Sequence, residues 1–388
     1  MARHAQRNFC ANLLSIVRNT LEDKDFIDRH RRRPEDFTRS RKLSFSNLFL
    51  FLSGLLRSSL QNELDRFFQL LDDAGLPVRI VDRTALSHAR SKLKASAFTE
   101  MNERILQRVA AEAPTRRWKG RSLRVVDGTT LRLPDSPSLR EHYGEVKVNQ
   151  HGTWIPARAS YLADPLNHLV REARIAPVQI GERELLLQHL ERLEPGDLLL
   201  ADRGYAAFHV FSALRRRGVD FCFRLAVGSW PCAREFIAGG KREETIRLTP
   251  TKEMRRHCRK RNLPEKAIDL RLVRVELEGG TVEVLVTSLL DVTEVSVADL
   301  AGLYHLRWGV EEQIKWDKTR MEMENFSGKT VVAIEQDFQA RIFVGNLTSA
   351  LALPVHPIIE ENHRGDKHRS QINWTQALAK IRALGVKL

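Results

Sequence analysis

Apolar positions in the first 110 residues recur at helical spacing. Between Phe45 and Phe68 they fall at Leu48, Phe51, Leu52, Leu55 and Leu56, which predicts an amphipathic helical stretch. Residues 83–110 predict a helical pair. Arg83-Thr84-Ala85-Leu86 opens the first helix, and Ser96-Ala97-Phe98-Thr99 interrupts before the second. From residue 121 the period shortens. Leu123 to Asp127 predicts a short strand ending on a carboxylate. Trp154 to Ala163 and His168 to Ala176 predict two more, with Asp164-Pro165-Leu166-Asn167 as the turn between them. Glu182 to Leu193 returns to helical spacing and stops at Pro195-Gly196. Leu198 to Ala201 is a wholly apolar strand that ends at Asp202. A helix over Ala206 to Arg217, capped by Gly218, and a strand over Phe221 to Leu225 follow.

The resulting order, βββαβαβ, is that of an α/β unit. Consecutive strand, helix and strand demand parallel pairing across a crossover helix. Two strands of this unit end on an aspartate, and strand ends of such sheets are where ligand and metal groups gather. Residues 226–298 break the alternation. Glu244 to Leu248, Leu270 to Leu277 and Thr281 to Ser288 predict strands, with Gly279-Gly280 as a hairpin turn. The basic run Arg255 to Arg261 is predicted as a loop, and the whole segment as a β-rich insertion. One long helix is predicted from about Val297 to Met321, and further helices over 331–388. The expected organisation is therefore helical over 1–120, the first part of the α/β core over 121–225, the insertion over 226–298, the last helix of the core over 299–330, and helical again over 331–388.

Charge adds a partner class. The 388 residues hold 63 Lys and Arg against 49 Asp and Glu, a net charge of +14. Residues 1–120 hold 23 basic and 14 acidic side chains, so 23 − 14 places +9 of the excess there. Such a balance points either to a polyanion, nucleic acid being the commonest, or to a solvated basic surface. Arg83, Arg90, Lys92 and Lys94 lie in or beside the first helix of the N-terminal pair, a compact basic unit that could dock on DNA. No run of eighteen apolar residues occurs; Leu48 to Leu56 is too short to span a bilayer. The start Met1-Ala2-Arg3-His4 has no apolar signal core, so a cytoplasmic, membrane-free setting is expected. The four cysteines form no CxxC pair and read as free thiols.

The densest chemistry lies around Glu311. With roughly 100° per residue counted from Tyr304, Arg307, Glu311 and Lys318 fall at about −60°, −20° and −40°, one narrow stripe with Lys315 beside it. Leu303, Leu306, Val310, Ile314 and Met321 form the neighbouring apolar stripe. Periodicity alone leaves two readings open: a site edge with one acid among donors, or an amphipathic helix with i,i+4 Arg–Glu support. Gly309 costs about 1 kcal/mol against Ala in a helix, which predicts the close approach of something.

Tyr304, Arg307, Glu311 and Lys318 match the Y-x2-R-x3-E-x6-K signature, and the chain resembles the insertion-sequence-four family of bacterial DDE transposases at every spacing of it. Val126-Asp127-Gly128-Thr129-Thr130 and Leu200-Ala201-Asp202-Arg203-Gly204-Tyr205 resemble that family's two aspartate motifs. The resemblance implies an RNase H-like mixed-sheet core with a β-rich insertion, flanked by N-terminal and C-terminal helical regions. It implies that Asp127, Asp202 and Glu311 are the catalytic carboxylates and hold two divalent ions, Mg²⁺ with Mn²⁺ able to substitute. It further implies cleavage at transposon ends and strand transfer into target double-stranded DNA, by a homodimer assembled on paired ends in a bacterial cytoplasm. Tyr304, Arg307 and Lys318, with Lys315, are then expected on DNA phosphates, and Trp230 against an unstacked base or, alternatively, as a partly buried aromatic. Asp135 and Asp164 read as turn residues and Glu312 as facing away. His151, Arg203 and Tyr205 read as supporting groups. Two other outcomes stay open: a silent DNA-binding derivative, and an RNase H-like nuclease without strand transfer.

Overall fold

The computed structural model describes residues 2–54, 58–76, 78–147, 152–276, 280–355, 359 and 372–385; His151 and Gly279 lie outside them. In chain order the elements begin with α1 (Ala2–Glu22), α2 (Lys24–His30), α3 (Phe45–Ser53), α4 (Leu60–Leu71), α5 (Arg83–Arg90) and α6 (Ser96–Glu112). The middle of the chain holds β1 (Ser122–Leu133), α7 (Pro137–Tyr143), β2 (Val146–Lys147), β3 (Thr153–Asp164), β4 (Leu169–Pro177), α8 (Glu182–His189), β5 (Asp197–Ala201), α9 (Phe208–Arg217) and β6 (Asp220–Leu225). Then come α10 (Pro231–Ala238), β7 (Glu243–Leu248), α11 (Lys252–Arg259), β8 (Ile268–Glu276), β9 (Val282–Thr287), α12 (Val297–His305), α13 (Trp308–Arg320), α14 (Val331–Ala352) and a last helix, Trp374–Gly385. None of the described helices is long and apolar enough to cross a membrane. The chain divides into two compact units: residues 1–115, 130–157 and 315–388 form one, residues 116–129 and 158–314 the other.

The first unit is mainly helical. The stretch predicted as continuous from Phe45 to Phe68 is two helices. Gly54 caps α3, and the Ser59 hydroxyl accepts from the Asn62 amide to start α4 afresh. α14 is apolar and small-sided around most of its circumference, which suits a helix buried on all sides, and it packs on α6 and α3. Its buried polar side chains are satisfied in pairs. Arg90 donates from Nη2 to Asp337 Oδ1 at 2.7 Å and to Ala333 O at 2.9 Å, and from Nε to Gln336 Oε1 at 2.9 Å. Arg90 is thus withdrawn from the basic surface expected of its helix; Arg83 and Lys94 remain exposed.

The second unit is built on a mixed sheet whose strands run β3-β1-β5-β6-β9-β8-β7, with β4 also paired to β3; β2 pairs antiparallel with β3. β1, β5 and β6 run parallel, joined from β5 to β6 through α9, as the alternation predicted. β5 is buried at every residue, the signature of a central strand covered on both faces. The strands of the predicted insertion do not fold apart from this sheet: β9 pairs antiparallel with β6, and β8 and β7 extend it.

Three local expectations are corrected. The basic run predicted as a loop lies mostly in α11, started by Thr251 accepting from the Met254 amide. Its apolar edge, Met254 and Cys258, packs with Phe208 and Ala213 of α9. β1 does not end at Asp127 but continues through Thr129 and Leu131 to Leu133. The single helix expected from Val297 to Met321 is two, α12 and α13, broken at Leu306-Arg307. Amides there bond three residues back, Arg307 to Tyr304 at 3.0 Å and Gly309 to Leu306 at 3.1 Å. Gly309 is where the chain passes tightly. A Cβ there would lie 2.9 Å from Pro165 Cβ, so the predicted close approach is to the Asp164-Pro165 turn.

Candidate active site

The sheet register puts the two aspartates side by side. β1 pairs with β5 as Ser122 with Asp197 through Val125 with Leu200, a constant offset of 75. Carried two residues on, the same offset sets Asp127 level with Asp202. β5 pairs with β6 at an offset of 22, Leu198 with Asp220 through Ala201 with Phe223, which sets Arg224 level with Asp202. Side chains alternate between faces along a strand, so residues level on adjacent strands project from the same face. Asp127, Asp202 and Arg224 therefore form a row across three strands. Glu283 of β9 joins it diagonally, because Leu285 opposes Arg224 and Glu283 is two residues away on the same face.

Hydrogen bonds tie this row to α12 and α13. Arg224 Nε donates to Asp202 Oδ1 at 2.9 Å, and its Nη1 bonds Glu283 Oε1. The Tyr304 hydroxyl donates to the same Asp202 oxygen at 3.4 Å. Arg307 Nη1 donates to Glu311 Oε1 at 2.6 Å and stands 3.7 Å from Asp127 Oδ2. The structure thus brings Asp127, Asp202, Tyr304, Arg307 and Glu311 into one centre, although the break between α12 and α13 removes the continuous helix from which their shared stripe was projected. Arg307 is 6 % exposed, its guanidinium 5.6 Å from the Tyr304 ring and 5.5 Å from the Trp308 ring.

The two aspartates titrate in opposite directions. Burial pushes Asp127 up to about 6, against the lowering effects of the Gly128 amide and Arg307, while Glu311 and Glu182 add like charge. Burial also acts to raise Asp202, but the Arg203 amide, Arg224 and Arg307 together outweigh it, and Asp202 lies below its usual value. A buried carboxylate raised to about 6 beside two other acids is a place where added positive charge is favourable. Carboxylate oxygens are also the donors a hard divalent cation takes, so the donor set fits such an ion. As they stand, Arg307 neutralises Glu311 and Asp127, and Arg224 neutralises Asp202. Among the described residues no three acid, His or Cys groups converge as the ligands of one ion.

The remaining expected site residues divide. Lys318, in the first unit, donates to Thr130 O at 2.7 Å and stands 3.8 Å from Glu324; Lys315 is exposed. Trp230 is 7 % exposed within the apolar cluster under the sheet, its ring centroid 5.8 Å from that of Phe211, which is the buried of its two expected placements. Trp308 is the exposed aromatic at the centre, at 55 %. Glu312 is exposed, Asp164 accepts from the Leu166 and Asn167 amides in its turn, and Asp135 pairs with Arg140. Arg224, Glu283 and Trp308 were not identified from sequence. The first two have no motif and are found only through strand register, whereas Trp308 lay in plain view between Arg307 and Gly309.

Comparison with known proteins agrees with this architecture. By overall fold the chain is similar to piggyBac transposase, solved as a synaptic complex with hairpin DNA, with a TM-score of 0.52 at 9 % identity over 96 % of this chain and 80 % of that one. By sequence it is similar to the transposase InsG for insertion sequence element IS4 of Escherichia coli, 21 % identical over 267 residues, 68 % of this chain and 60 % of InsG. It is also similar to the InsZ protein of the same organism, 24 % identical over 158 residues, 40 % of this chain and 53 % of InsZ. The chain therefore spans little more than half the length of these relatives. The family model described as Transposase DDE domain matches residues 118–347, which is more than half of the chain and includes Asp127, Asp202 and Glu311. The chain belongs to the transposase DDE domain family.

Proposed function

We propose that the chain is a DDE transposase that cleaves DNA at the ends of a mobile element and joins the freed 3′ ends to target DNA. The observation that carries this reading is the juxtaposition of Asp127 and Asp202 on adjacent parallel strands, with Glu311 joined to Asp127 through Arg307. Asp127, Asp202 and Glu311 would hold two divalent cations, Mg²⁺ or Mn²⁺. Such ions, when bound, neutralise charge at the scissile phosphate and lower the pKa of water.

The chain's own groups bind and orient the DNA. Arg307 presents a guanidinium suited to bidentate contact with a phosphate, and the carboxylates now on it are what a phosphate would displace. Tyr304 offers a hydroxyl donor, and Lys315 and Lys318 supply ammonium groups further along α13. Trp308 presents a ring on which an unstacked base at the cleaved end could rest. Two ends must be held together, so two copies on DNA are expected, with the C-terminal helices as the contact between them and the bacterial cytoplasm as the setting.

The test is incubation of the chain with DNA carrying the element's terminal repeats and Mg²⁺. Nicked ends and joined products are expected. Tight binding without nicking would instead identify a silent DNA-binding derivative. Nicking without joined product would identify a nuclease.

A further inference from the structure

The helix α11 carries its charge on one side. At about 100° per residue, Arg255, Arg259, Lys252 and Arg256 fall within an arc of about 100°. Met254 and Cys258 lie on the opposite side and pack with Phe208 and Ala213 of α9. The four cations of the arc are exposed, and so is Lys260, which ends the helix. A face that is merely solvated interleaves acids and bases, because opposite charges four residues apart support a helix. Here Lys252 and Arg256 are four apart, as are Arg255 and Arg259, and each like-charged pair weakens α11 instead. Two carboxylates answer them at the margins. Glu253 is 3.6 Å from Arg256, and Glu265 accepts from Arg259 at 2.8 Å and 3.2 Å. Among the described residues Lys252, Arg255 and Lys260 have no ion-pair partner.

The positive field is felt beneath the helix. The His209 ring of α9 is stacked on His257, centroids 5.6 Å apart. Burial pushes His209 down to about 4, and Arg261, His257 and Arg183 act in the same direction. Arg216, exposed at the end of α9, donates to Asn262 O at 2.6 Å and so extends the charge past the end of α11. This surface is not the carboxylate row. Leu199, Ala201, Phe221 and Phe223 share a cluster with Val210, Phe211 and Leu214 of α9, and Phe211 stacks on Phe221 at 4.9 Å. Side chains alternate along a strand, so Asp202 and Arg224, each one residue further on, project from the other face. The layer to which α9 and α11 belong is therefore the one away from the row.

We infer that the exposed face of α11 is a docking surface for the phosphate backbone of double-stranded DNA, separate from the carboxylate centre. Charge complementarity selects the occupant. A duplex carries one negative charge per about 1.7 Å of its axis, and the two turns from Lys252 to Arg259 offer cations along about 10 Å. Phosphates recur whatever the sequence, so contact here positions a duplex without reading it. The inference shares DNA as partner with the proposed function, but it does not rest on cleavage.

The test is binding of the full chain, with a chelator present, to two fluorescent duplexes of equal length and unrelated sequence. Anisotropy is read over a salt series, and every variant is melted. The combined variant Lys252→Gln, Arg255→Gln, Arg256→Gln is expected to melt at or above the wild type, because like-charge repulsion is relieved. It should bind both duplexes about tenfold or more weaker, with a salt slope shallower by about 2 to 3. Lys252→Arg, Arg255→Lys, Arg256→Lys keeps the charge and should bind as the wild type. Arg140→Gln, Lys241→Gln, Arg247→Gln removes equal charge from cations already paired with carboxylates, and should keep the wild-type slope. Wild-type affinity and slope in the first variant overturn the inference, as does an equal loss in the last, which would mark net charge alone. A loss confined to one duplex would mark base reading and overturn the backbone contact. Each of these leaves the proposed function standing, whereas no binding of either duplex by the wild type would bring down DNA as the partner and the proposed function with it.

Discussion

Asp127 is the residue on which the electrostatics of the centre turn. In the unfolded chain its carboxyl ionises near the ordinary value of 3.8; in the folded chain burial holds it at about 6. Between these values the folded form binds more protons than the unfolded one, so stability falls as pH rises through that window and stays lower above it. Two pK units correspond to at most about 3 kcal/mol, less for a group partly open to water. With a chelator present, the melting temperature of the wild type is expected to drop between about pH 4 and pH 6, and Asp127→Asn should flatten that drop. A wild-type curve that is level across the window would remove the burial argument. With metal and end DNA the same variant should lose cleavage, as should Asp202→Asn and Glu311→Gln, while DNA retention in a gel-shift assay stays near wild type. Near-normal nicking by any of the three excludes that residue from the centre. Asp202 could be read from sequence because an apolar run ends on it. Arg224 and Glu283 could not, since only the pairing of β5, β6 and β9 brings them level with it.

At the scale of elements, the α12–α13 break shows where periodicity stops being informative. Apolar positions continue in phase across Leu306-Arg307, so periodicity alone predicts one helix; just past the interruption Gly309 fits against Pro165, a contact between segments 144 residues apart that no periodicity shows. The same fit makes a prediction. Ala in place of Gly within a helix gains about 1 kcal/mol of propensity, but a Cβ 2.9 Å from Pro165 Cβ is overpacked, at a cost of about 1–3 kcal/mol. Gly309→Ala should therefore be destabilised in urea and cleave more slowly, since Glu311 follows two residues later. Gly302→Ala in α12, whose Cβ meets nothing within 4 Å, should be neutral or slightly stabilised. Equal stability of the two variants would show that Gly309 has room. A second element-scale prediction concerns α5. Arg90 was read as part of a basic docking surface because sequence shows charge but not burial. Removing it leaves Asp337 buried without its guanidinium, so Arg90→Ala should cost about 3–5 kcal/mol, whereas Arg83→Ala should leave the urea midpoint unchanged.

Over the whole molecule, the excess of +14 sets how the chain meets DNA. Cations on a protein displace counterions from the duplex, and each phosphate contact lowers the slope of log affinity against log salt by about 0.9. The N-terminal third carries +9 of the excess by the count above, but the structure separates cations that are spent from those that are presented. Arg90 is used inside the helical unit, and Arg29 and Arg104 are paired with Glu100. Arg33, Arg39 and Arg41, between α2 and α3, are exposed and close together in sequence. Replacing these three with Gln should weaken binding to any duplex by a similar factor whatever its sequence, and should make the salt slope shallower by about 2 to 3. Asp127→Asn, which changes the chemistry rather than the phosphate contacts, should leave the slope as it is. If the triple variant keeps the wild-type slope, the N-terminal charge is a solvated surface, and the phosphate contacts must be sought on α11 and α13 instead.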